Sequence, residues 1–362
     1  MADRTSPAAS GDAPPEADRF EETPHPRETF ALFGHAEAEN ELLAAYRSRH
    51  LPQAFLIGGL TGIGKATLAW RLARFLLAHP DPAGAPDAID LSVPHDHPAA
   101  RQLSSLAHPD LFLLRRAWNE KTKKHFTEIR VDDVRRAIHM FQQSAGRGGY
   151  RVCIVDSAED LNLSGANALL KLIEEPPPRS VFLIIAHRPG RVLATIRSRC
   201  RVIGLKPLAA ADMARTVAAL GPPWSSARDA ELAAAINRSQ GSMHDVLRLL
   251  NGRGVEFDAH LRRMLEDLPR IDWRAVHSLA ERVSPRDGGN DYDAMMDSVF
   301  DWLEARVRNG EGGGARRLAP YAEVWEKVTE AARQIEALNL DKRPFVLSLF
   351  ADLAAAARAS ST

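Results

Sequence analysis

The chain has 362 residues, 45% of them hydrophobic and 26% charged, with 47 Lys and Arg against 47 Asp and Glu. That length and balance suit two or three globular domains and exclude both a disordered polyelectrolyte and a protein that grips nucleic acid through a global cationic field. Two cysteines, Cys153 and Cys200, are too few for a disulfide framework or a four-cysteine zinc site. The apolar run Val181 to Ala186 is far too short to span a membrane, so a cytoplasmic protein with no secretory signal is expected.

Residues 1–28 hold five prolines and seven acids against three bases, with almost no large apolar side chains, and read as a disordered acidic arm. From Phe30 the pattern changes. Phe33, Leu42, Leu43 and Tyr46 form one apolar face of a helix, and Gln53–Ile57 then reads as a buried strand running into Gly58 and Gly59. Further short apolar runs at 111–114, 150–155, 181–186 and 201–205 have the composition of parallel strands covered on both faces. Helices alternate with them at 67–79, at the stripe Val131, Val134, Ile138, Phe141, and at 164–175, which stops at Pro176. This alternation predicts an α/β domain over 29–206. Beyond Pro207 only helices are expected: a small lid domain over 207–253, then an all-helical C-terminal domain over 254–362 with a Gly-rich loop at 309–314. The segment 81–109 reads as loop-rich; its scattered histidines, with His79 before them, match no metal-ligand spacing, and no zinc is expected.

Gly59-Leu-Thr-Gly62-Ile-Gly64-Lys65-Ala66-Thr67 follows a predicted strand and opens a predicted helix, the setting in which backbone N–H groups and a lysine cradle phosphates. The residue after the lysine, normally the Ser or Thr that ligates Mg²⁺, is Ala66; Thr67 lies one step on, rotated by about 100° around the helix. Asp156, at the end of an apolar strand, suits the acid that organises Mg²⁺ and water, and is followed by Ser157. Between Arg188 and Lys206 six bases occur with no acid. One reading is a solvated basic face; the other is an arginine in Arg197-Ser-Arg199-Cys200 presented to a neighbouring subunit's nucleotide.

Gly64-Lys-Ala-Thr67, Asp156 with Asn167-Ala-Leu-Leu-Lys-Leu-Ile-Glu-Glu-Pro176, and Thr195-Ile-Arg-Ser-Arg-Cys200 together resemble the delta prime family of bacterial DNA polymerase III clamp-loader subunits, in the AAA+ superfamily, over about residues 28–251. The resemblance implies an AAA+ P-loop domain with a parallel sheet, a helical lid and a helical collar for oligomerisation. It implies a stator assembled with gamma or tau and delta subunits, loading a sliding clamp on primer–template DNA. Arg199 would act in trans on a neighbour's ATP, while Gly59, Gly62, Gly64, Lys65, Ala66, Thr67 and Asp156 would form a weak nucleotide site. In such machines a Glu is expected at Ser157 as base, and an Arg at His244 as nucleotide sensor. The alternatives are an ATP-hydrolysing gamma- or tau-like subunit and a stand-alone small-molecule kinase.

Overall fold

The computed structural model describes residues 15–20, 23–81, 83, 85, 88–142, 149–251, 255–284, 289–309, 314–338 and 340–360. Helix α1 (Ala36–Arg47) leads into strand β1 (Ala54–Gly58), and α2 (Lys65–Ala78) follows the glycine loop. Next come α3 (Pro98–Ser104), β2 (Leu111–Arg115), a small antiparallel hairpin of β3 (Trp118–Asn119) and β4 (Lys124–His125), and α4 (Val131–Gln142). The α/β domain is completed by β5 (Arg151–Asp156), α5 (Leu163–Glu174), β6 (Ser180–Ala186), α6 (Ala194–Arg197) and β7 (Arg201–Gly204).

Five strands form one parallel sheet in the order β2-β5-β6-β1-β7. Their apolar runs are buried on both faces, and successive residues alternate between two cores. Phe55, Ile57, Val152, Ile154, Leu183 and Ile185 face the core shared with α1 and α2, whereas Leu56, Cys153, Val155, Phe182 and Ile184 face that of α4 and α5. The register sets Gly58 opposite Ala186 and Asp156 opposite Arg115. The carboxyl ends of four strands therefore finish together, and the segments leaving them carry Gly59, His187, Asp156 and Arg116. That edge is where open α/β sheets bind ligands.

Helices α7 (Ala210–Leu220), α8 (Asp229–Arg238) and α9 (Met243–Leu250) make up the segment expected to be a lid. Their Met213, Val217, Ile236, Val246 and Leu247 belong to the same core as the sheet, and the compact unit ends at Leu250. The second unit, from Asn251, contains α10 (Val255–Glu266), α11 (Trp273–Val283), α12 (Gly289–Asn309), α13 (Gly314–Leu338) and α14 (Lys342–Ser360). Its core consumes Leu261, Leu265, Leu279, Val299, Phe300, Leu303, Phe345 and Leu349, with Leu347 packed at its border. Most of the expected loop at 309–314 lies outside the described residues.

One sequence expectation needs correction. Within the loop-rich segment 81–109, His97 caps α3 through Nδ1, which accepts from the Ala99 N–H, and Pro98 occupies the first turn. The arm expected to be disordered over 1–28 is folded wherever it is described. Residues 1–14, 21 and 22 lie outside the described residues. A short 3₁₀ turn, Pro26–Glu28, is closed by a capping box with His25. The physical reason lies in α2, which carries two arginines on its polar side. Arg74 donates to the carbonyls of Arg27 and Thr29 and stacks 3.9 Å from the centre of the Phe30 ring, and Arg71 donates to the Phe30 carbonyl and to Glu39. The segment's backbone thus supplies carbonyl acceptors to two buried guanidinium groups of α2.

Candidate phosphate-loop site

Gly64 has φ of 98° at the N-cap of α2, and Gly62 has φ of 75°; both occupy left-handed backbone that favours glycine. Gly62 is also where the lid touches the loop. A Cβ there would stand 2.4 Å from His244 Cβ, and the Met243 N–H donates to the Gly62 carbonyl at 2.9 Å. On the other side, His35 Nε2 donates to the Ile63 carbonyl at 2.6 Å, so a side chain ahead of α1 fixes the loop's floor.

Lys65 is buried, and its ammonium donates to the carbonyls of Gly59, at 2.9 Å, and Leu60. Burial brings its pKa down to about 8, against the opposing pull of Asp156 and Glu159. Asp156 is pushed up to about 7 by burial, with Asp18, Asp160 and Glu159 adding repulsion and Lys65 opposing it. Burial raises Asp160 to about 6 although Arg116 pairs with it at 3.2 Å. His187, at the end of β6, falls to about 3 because burial and the nearby Lys65, Arg188, His244 and Arg116 all disfavour an imidazolium; its Nδ1 is buried without a partner among the described residues.

These groups surround a cavity of about 520 Å³. The volume lies within the range of small-molecule sites. Of the sequence candidates, Gly62, Gly64, Lys65, Ala66, Thr67 and Asp156 line it, Gly59 lies behind it as an acceptor for Lys65, and Arg199 is not among its lining residues. Phosphate oxygens fit this chemistry through the loop backbone and Lys65; Mg²⁺ fits poorly, because Ala66 supplies no oxygen. No group of three or more His, Cys, Asp or Glu suited to a metal occurs among the described residues.

Sequence reasoning missed His35, His187 and the N-terminal segment, of which Asp18, Phe20 and Thr23 line the cavity. His187 was detectable in principle as the first polar residue after the β6 run; the others come from folding of distant chain.

Arg199 sits in the turn between α6 and β7, where it pairs with Glu174 at 2.6 Å and donates to the Thr195 carbonyl. Neighbouring bases are also matched by acids outside their own segment, Arg201 by Glu41 and Lys206 by Glu37. Three of the six bases, Arg199, Arg201 and Lys206, thus form surface pairs with acids of α5 and α1.

Residues 34–209 match the family model described as DNA polymerase III, delta subunit. The chain belongs to the delta prime family of DNA polymerase III subunits. The Pseudomonas aeruginosa DNA polymerase III subunit delta' is 40% identical over 156 residues, 42% of this chain and 43% of the relative. The Escherichia coli K12 delta' subunit is 33% identical over 238 residues, 65% of this chain and 66% of the relative. Delta' relatives are thus aligned over less than two thirds of their length. A DNA polymerase III tau subunit from Salmonella typhimurium is 25% identical over 298 residues, 78% of this chain and 44% of the relative. Among solved structures, a gamma subunit-related protein from Thermotoga maritima is matched at a TM-score of 0.40 and 16% identity, covering 88% of this chain and all of the other. The family match spans the α/β domain with its phosphate loop described above.

Proposed function

We propose that this chain is a clamp-loader subunit of DNA polymerase III that serves as a stator. It assembles with gamma or tau and delta subunits, helps to place a sliding clamp on primer–template DNA, and lends Arg199 to the ATP site of a neighbour. The observation that carries this reading is the contrast between its two phosphate-related features. The phosphate loop keeps its glycines and Lys65 but has Ala66, Ser157 and His244 where hydrolysing relatives are expected to place a hydroxyl, a base and an arginine. Arg199 is exposed on the surface and held only by side-chain and carbonyl contacts that a phosphate can replace.

On this reading ATP binds the chain's own loop weakly and is turned over negligibly, since loss of a general base alone costs about 10²–10⁴-fold. When nucleotide is bound, the loop N–H groups and Lys65 hold its phosphates. Lys65 must first leave the carbonyls of Gly59 and Leu60. Steady-state ATP turnover by the purified chain tests the assignment: ordinary enzyme rates abolished by Lys65→Ala would favour the gamma- or tau-like alternative, and stimulation by a nucleoside would favour a kinase. Recovery of gamma or tau and delta on co-purification is the expected positive result. Among the described residues no helix is long and apolar enough to cross a membrane, which fits assembly with soluble partners in the cytoplasm.

A further inference from the structure

The N-terminal segment reaches both halves of the phosphate-loop site. Glu16 accepts from Arg27 at 2.6 Å and from Arg115, at the end of β2, at 2.9 Å. Asp18 pairs with Arg115 and lies 3.0 Å from His25 Nε2. His25 Nδ1 accepts from the Arg27 N–H, so the ring proton belongs on Nε2, where it points at Asp18. His25 is fully buried, edge-on to Trp70 of α2. The segment is therefore pinned to the α/β domain from several directions.

Between those pins the chain turns toward the lid. The Phe20 ring meets the His244 ring edge-on at 4.9 Å and lies 6.3 Å from that of Trp224. His244 in turn stands against Gly62, and its neighbour Met243 is bonded to the Gly62 carbonyl. Contacts thus run from Arg115 of β2 through Glu16, Asp18 and Phe20 to the N-terminus of α9 and onto the phosphate loop, where Lys65 is engaged with the loop's own carbonyls.

We propose that residues 16–20 and 23–28 are an intramolecular latch that holds the lid on the phosphate loop and thereby limits access of a nucleoside triphosphate to the cavity. The inference rests on the nucleotide reading above and supplies a second reason for weak binding, separate from the missing hydroxyl at Ala66. If the binding-competent state is open, apparent affinity falls by the fraction of molecules that are open. Loosening the latch then tightens binding without adding any contact.

The test uses the full-length chain, a fluorescent ATP analogue with Mg²⁺, and amide hydrogen exchange over residues 60–67 and 243–250. Phe20→Ala cuts the contact to the lid, and Arg115→Gln releases the pin at β2. If Phe20→Ala fails to fold by circular dichroism, Phe20→Leu removes the ring with less loss of volume. Both substitutions are expected to speed exchange in the two segments and to tighten the analogue roughly tenfold. Adding Lys65→Ala should abolish that gain. Unchanged exchange, or weaker binding in the latch variants, would overturn the proposal, the latter by making the segment a wall of the bound state. Faster exchange with no analogue bound by any variant would instead sink the nucleotide reading, and the segment's role as a gate with it.

Discussion

On the proposed function the phosphate loop and the Arg199 turn both serve phosphate, yet they present their charges in opposite ways. Lys65 is buried, its pKa brought down to about 8 by that burial, and it is turned onto carbonyls of its own loop. Arg199 is exposed and paired with a surface carboxylate, in a geometry worth about 0–1 kcal/mol. The first group is costly to redirect and the second cheap, so a side chain's motif matters less to its availability than what already occupies it.

The largest expected effect is at the available group. Arg199→Ala should leave folding and assembly intact and lower hydrolysis at the one site it serves by about 10³-fold or more. Total DNA-stimulated turnover by the assembly should fall only in part, unless the sites fire in sequence. Lysine should rescue poorly because it lacks the planar fork. Assembly kinetics with each variant check this, and an unchanged clamp-loading rate would return the basic segment to a set of ordinary surface pairs.

A smaller effect is expected at the buried carboxyl facing Lys65. Asp156 is raised to about 7, so the folded chain holds a proton there that the unfolded chain releases; its contribution falls as pH rises from the ordinary carboxylate range through about 7. Asp156→Asn should therefore raise the melting temperature by a few degrees at pH 8 and by little at pH 5. Equal shifts at both values would show that the site is wetter than its packing implies.

The N-terminal pins titrate in the opposite sense. Burial alone would raise Asp18 and Glu16, but the hydrogen bonds and charges of His25 and Arg115 on Asp18, and those of Arg27, Arg115 and His25 on Glu16, carry both below their ordinary values. Their stabilisation is complete above the ordinary carboxylate range and is lost as pH falls through the depressed values. Hydrogen exchange at residues 16–20 and 23–28 should stay slow through mildly acid pH and accelerate only below that range. The smallest effects are expected from Glu174→Gln, less than about 1 kcal/mol in stability, and from Lys65→Ala, which should leave clamp loading by the assembly largely unchanged.

Most of the sheet was legible because its strands are continuous apolar runs between glycines, prolines and charges, and β1, β5 and β6 lie within a residue or two of where the sequence puts them. The loop residues were legible because glycine at fixed offsets from Lys65 reports backbone geometry directly. Two kinds of structure were not. The β3–β4 hairpin is too short for a period to register, and α3 has only seven residues. The N-terminal segment misled for another reason: its proline and acid content resembles disorder, but its partners Arg71, Arg74 and Arg115 lie far along the chain. Composition reports what a segment can bury of itself, and this segment is ordered by what it lets its partners bury.

That arrangement separates the boundary of kinship from the boundary of folding. The family match begins at residue 34, after the backbone carbonyls on which Arg71 and Arg74 depend. A shortened chain starting there would keep every matched residue yet strip the cover from one side of α2, taking from Arg74 its carbonyl partners and from Trp70 the His25 ring while Arg71 keeps Glu39. Packing around α2, rather than motif content, is what such a truncation loses first.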